Sequence, residues 1–93
     1  MLEKLTDRDF VIYSEQYCSL KGQIRDRQLY LESYVYGDDY DSEQHIEFTA
    51  EDTEKLFSLM SFEEFVGFLH EKRLYGFNEF LREKGIEPQT ITI

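Results

Sequence analysis

The sequence predicts an α+β domain: a three-stranded antiparallel β-meander, followed by two or three helices packed on one face. Alternation of apolar and polar residues through the first half points to strands. Helix-period apolar residues with capping signals fill the second half, and the single proline, Pro88, lies outside both. Ninety-three residues make one domain, 1–93, strand-rich over 10–48 and helical over 49–85. Eight Phe and seven Tyr supply large rings for one modest core.

Phe10 to Cys18 reads as the first strand. Val11, Tyr13 and Tyr17 share one parity, and Phe10, Ile12 and Cys18 the other. Leu29 to Tyr36 reads as the second, with Leu29, Leu31 and Val35 on one face and Tyr30, Glu32, Tyr34 and Tyr36 on the other. Either Lys21-Gly22 or Arg25-Asp26-Arg27-Gln28 can turn the chain between them. The second is preferred, because it sets Ile24 opposite Leu29 and makes Gly22 a bulge. Gly37 to Asp41 is a turn, and Gln44 to Phe48 a third strand with Ile46 and Phe48 inward.

Thr49 caps a helix starting at Ala50, with Asp52 as its capping-box partner and Leu56, Phe57, Leu59 and Met60 as its apolar side. Ser61-Phe62-Glu63-Glu64 is a stronger capping box, followed by Phe62, Phe65, Val66 and Leu69 at helical spacing. A third helix covers Tyr75 to Lys84, with Phe77, Phe80 and Leu81 inward. Gly85 ends it and Ile86 makes the apolar contact beyond it. Thr90 to Ile93 alternates and suits a short edge strand. The first eight residues fit either a short helix or an arm. The expected core is Ile12, Leu29, Leu31, Val35, Ile46, Phe48, Leu56, Phe57, Leu59, Phe65, Leu69, Phe77, Phe80 and Leu81.

The net charge of −10 sits in the middle third. From Glu32 to Glu64 there are eleven acids and one Lys or Arg, Lys55, while the flanks hold nine of each sign. Such a surface attracts basic proteins and repels nucleic acid and anionic membranes. Direct nucleic-acid binding also lacks its clustered Lys and Arg; the groupings present are Lys21, Arg25 and Arg27, and Lys72-Arg73. The first grouping could meet the acidic segment of a second copy, so a homodimer stays open. One cysteine, Cys18, a charged start and no apolar run of bilayer length lead to the expectation of a cytoplasmic protein without a membrane partner.

No catalytic or metal pattern emerges. A calcium loop starting at Asp39 has Gln44 where Gly is needed and Ala50 where Glu is needed. His45 and His70 lack the Cys or second His of a zinc site. There is no nucleophile elbow and no phosphate-cradling glycine loop. The expectation is therefore no enzyme, no cofactor and no metal.

The reading favoured by the residues is a small, acidic, non-enzymatic protein-binding module. Its surface is Tyr30, Glu32, Tyr34, Tyr36, Asp38, Asp39, Asp41, Glu43 and Glu47, offered to a basic protein as an inhibitor or immunity-type protein might offer a nucleic-acid-like surface. The alternative is a structural, adaptor or homo-oligomeric protein whose acids serve solubility. Glu51, Asp52, Glu63 and Glu64 already have a local reason, since helix starts favour carboxylates.

Overall fold

The computed structural model describes residues 5–37 and 41–93. The chain forms β1 (Arg8–Ser14), β2 (Cys18–Arg25), β3 (Gln28–Tyr36), β4 (Asp41–Glu47), α1 (Ala50–Leu59), α2 (Phe62–Glu83) and β5 (Gln89–Thr92). The α+β class and the antiparallel sheet agree with the sequence. The sheet has five strands in the order β1-β2-β3-β4-β5 rather than three. The stretch read as one strand from Phe10 to Cys18 breaks at Glu15, Gln16 and Tyr17, and β2 begins at Cys18. That turn contains no Gly, Pro, Asn or Asp, so it carries no turn signature.

The hairpin between β2 and β3 uses the preferred turn, with Ile24 opposite Leu29 and Arg25 opposite Gln28. Asp26 and Arg27 both have positive φ, 50° and 67°, as a tight two-residue hairpin loop of the I′ kind requires. Gly22 is not a bulge; it pairs in register with Leu31. The glycine is needed for space, because a Cβ there would lie 2.6 Å from the Phe10 ring. The irregularity falls instead between Val11 and Tyr13 on β1. It turns both Ile12 and Tyr13 toward the core, against the alternation expected from their positions.

Both helices lie over one face of the sheet. Ile12, Leu20, Ile24, Leu29, Leu31, Ile46 and Phe48 meet Leu56, Phe65, Leu69, Phe77, Leu81 and Ile86 in a single core. Phe65 is its aromatic hub, with ring centroids of Phe57 at 5.2 Å, Phe77 at 5.6 Å, Phe62 at 5.9 Å and Phe10 at 6.0 Å. Two expected core residues are exposed. Val35 is 46% accessible because cover thins along β3 from Leu29 at 0% through Ser33 at 9%. Leu59, the last residue of α1, is 47% accessible. Phe57 and Phe80 pack against the core without being fully buried.

The capping signals act as read. Thr49 accepts a hydrogen bond from the Asp52 amide, and Ser61 and Glu64 form the full reciprocal box. The two helices expected on either side of Lys72-Arg73 run as one element, α2, interrupted at Arg73 (φ 61°, ψ −176°). At the far end Gly85 has φ 71°, its amide bonds the Arg82 carbonyl, and the Ile86 amide reaches Leu81. This paired pattern closes the helix and seats Ile86 in the core. β5 then pairs with β4, setting Ile91 opposite His45. Residues 5–7 form no helix. Among the described residues no helix is long and apolar enough to cross a membrane.

Candidate functional site

The helices leave the other face of the sheet uncovered. Period-two alternation decides which side chains stand there. With Leu29, Leu31 and Ser33 of β3 buried, Tyr30, Glu32, Tyr34 and Tyr36 must point the opposite way. With Ile46 buried on β4, Asp41, Glu43, His45 and Glu47 join them. Register then places Tyr30 beside Glu47, Glu32 beside His45, Tyr34 beside Glu43 and Tyr36 beside Asp41. Seven of the nine residues singled out in the sequence thus share one face; Asp38 and Asp39 lie outside the described residues.

The centre of this face is polar and internally bonded. The Tyr34 hydroxyl donates to Glu32 Oε2 at 2.9 Å, and Lys21 Nζ lies 3.4 Å from the same oxygen. Lys21 also stands over the Tyr34 ring at 5.5 Å. The Tyr34 and Tyr36 rings run parallel, 6.4 Å apart with 7° between their planes. His45 pairs with Glu43. The bond to Glu32, then burial, then the neighbouring carboxylate charges push the Tyr34 phenol up to about 12. Tyr34 is therefore a neutral donor at every physiological pH.

Beside this group lies a shallow depression of 580 Å³, bordered by Asp9, Val11, Lys21, Gln23, Tyr30 and Glu32. At its outer corner Arg25 bonds Asp9 at 2.6 Å. The face thus alternates carboxylates with phenol rings, and Lys21 and Arg25 are already engaged. Such a surface can accept cationic side chains at its carboxylates and pack their stems on its rings.

Tyr13 and Tyr17 do not extend this face as a ridge. Tyr13 is turned to the helix side, where it meets His70 edge to face at 6.5 Å and lies 4.2 Å beneath the Arg73 guanidinium. Tyr17 sits in the turn between β1 and β2, and its carbonyl accepts the Tyr36 amide.

That turn and the α2 break form a second cluster which the sequence did not reveal. Arg73 Nη2 bonds Glu15 Oε2 at 2.8 Å, and the Cys18 thiol donates to the other Glu15 oxygen at 3.4 Å. Arg73 Nη1 is buried without a hydrogen-bond partner among the described residues. Its backbone conformation is one that only glycine adopts without strain. The Arg73 bond holds the Glu15 carboxyl below its ordinary 4.5, whereas desolvation and the Glu15 contact push the Cys18 thiol up. A thiol kept protonated is a poor nucleophile. The cluster reads as a clamp that ties the kinked helix to the β1–β2 turn. Lys72-Arg73 flags the break in sequence, but nothing there announces Glu15 as a partner 58 residues away.

Among the described residues no three His, Cys, Asp or Glu side chains converge to hold a metal ion. No family model, curated protein or solved structure matches the chain.

Proposed function

We propose that the uncovered sheet face is a docking surface for a basic protein, and that the domain acts by binding rather than by catalysis. The observation that carries this reading is the gathering of Tyr30, Glu32, Tyr34, Tyr36, Asp41, Glu43 and Glu47 on one face that no helix covers. The acids at the helix starts, Glu51, Asp52, Glu63 and Glu64, sit on other elements and serve the helix ends, so they are no part of the surface. Carboxylates would speed capture of a cationic partner, and the tyrosines would slow its release. In its finer form the reading is an inhibitor or immunity-type protein that occupies the basic groove of a nucleic-acid-binding partner.

Two variants of equal net charge test the surface. E43K/E47K reverses charge on the face, while E51K/E63K reverses it at the helix starts. Partners captured from the native host at low salt should be basic and should elute as salt rises. Their retention should fall at least about tenfold with E43K/E47K and far less with E51K/E63K, because each 1.4 kcal/mol lost is a factor of ten. Equal losses from both variants would reduce the effect to overall charge and sink the surface.

A further inference from the structure

The sheet has two outer strands, and they are defended differently. β1 carries charged Arg8 and Asp9 and an irregularity between Val11 and Tyr13, features that discourage another strand from pairing alongside it. β5 has none of these. From Pro88 to Ile93 the chain is Pro-Gln-Thr-Ile-Thr-Ile, without a charge, in a protein where charged residues make up 32%. All four β5 residues are exposed, with Ile91 at 39% and the adjoining Ile93 at 70%.

The hydrogen-bond pattern fixes what this edge offers. In an antiparallel pair, successive residues turn their backbone groups alternately toward and away from the partner strand. The Ile93 amide bonds the Glu43 carbonyl at 2.9 Å, so Ile93, Ile91 and Gln89 address β4. Thr90 and Thr92 therefore point their N–H and C=O groups outward, and among the described residues nothing meets them.

We propose that β5 pairs with β5 of a second copy, antiparallel and across a two-fold axis at Ile91. Thr90 of each copy exchanges both backbone hydrogen bonds with Thr92 of the other. Ile91 faces its own symmetry mate in the closer, non-bonded position, where side chains pack best. The strand is self-complementary: threonine meets threonine on the helix side and isoleucine meets isoleucine on the open side. Two-fold contacts of one patch with itself are the commonest form of assembly. The two sheets become one, and the open faces of both copies join into a single surface.

This contact is separable from the docking of a basic protein because salt acts on it with opposite sign. Two copies of charge −10 repel, with Glu43 and Glu47 on the strand next to the edge, so screening strengthens self-association while it weakens binding of a cationic partner. Sedimentation velocity of the purified full chain, from low micromolar to millimolar and at low and high salt, reads it directly. The mass should rise from one chain to two with concentration, and at a lower concentration in high salt. T92P removes an outward N–H and leaves the β4 pairing intact; I91K sets two ammonium groups against each other. Each variant should raise the dissociation constant at least about tenfold, with a folded circular-dichroism spectrum. A protein that stays monomeric at millimolar concentration in high salt overturns the proposal. So does a dimer indifferent to T92P and I91K, or an edge that takes up an unrelated strand peptide without self-association.

Discussion

At the scale of single residues, Tyr34 shows how the open face differs from a row of solvated side chains. Its hydroxyl donates to a carboxylate that Lys21 also holds, so ionising the phenol would set two negative charges side by side. This is why its value lies near 12 rather than the ordinary 10.0. The stabilising bond is complete below the ordinary value and is lost as pH rises through the folded one. An alkaline titration followed by tyrosinate absorbance should show one ring ionising last, near 12. Glu32→Gln should return that ring toward 10.0, and Tyr34→Phe should delete the step. A last step that survives Tyr34→Phe would assign the shift to a different tyrosine. Neighbouring carboxylates on the face make Glu32 the residue to test, since it supplies the largest cause. Here the sequence was legible: three tyrosines and one glutamate of equal parity on one strand are visible as soon as the strand is recognised.

Among the elements, the joint between β3 and α1 rests on one hydroxyl. The β3–β4 ladder ends where the chain leaves Phe48 to start the helix, and the Leu29 amide then has no strand carbonyl to meet. Thr53 Oγ1 accepts it at 3.0 Å while donating to the Thr49 carbonyl at 2.8 Å. Thr53 is wholly buried. Thr53→Val keeps the shape but strands the Leu29 N–H, which should cost about 1–3 kcal/mol in denaturant melts. Thr53→Ser keeps the hydroxyl and should lose less. Equal losses from both would assign the effect to the methyl group instead. Sequence patterning cannot find such a residue, because a threonine in the first turn of a helix looks like ordinary surface. The same limit explains the β1–β2 hairpin. Its turn has no signature residue, and the irregularity at Val11 and Tyr13 reverses the parity of what precedes it, so Tyr13 changes face and Leu20 enters the core unannounced. Helix ends were legible for the opposite reason: Ser61, Glu64 and Gly85 act through bonds within a few residues.

For the whole molecule, the balance of charge decides how it answers to salt. Lys21–Glu32, Arg25–Asp9, Arg27–Glu54 and Arg73–Glu15 all join side chains that are substantially exposed, and salt weakens each of them. Exposed pairs of this kind contribute little, and many contribute nothing measurable. Against them stands a net charge of −10 confined to a middle third that folds into two adjacent strands and two helix starts. Its self-repulsion acts on the compact state and falls away as ions screen it. The repulsion is the larger effect, so the melting temperature should rise as ionic strength goes from about 20 mM to about 500 mM, the range over which the Debye length shrinks from well above to well below the spacing of neighbouring strands and helices. Working at low micromolar concentration keeps any β5 pairing from adding to the rise. Asp41→Asn with Glu47→Gln removes two charges from the crowded face and should flatten the slope. A melting temperature that falls with salt would mean that the four ion pairs outweigh the repulsion, and the acidic face would then be no electrostatic burden on the fold.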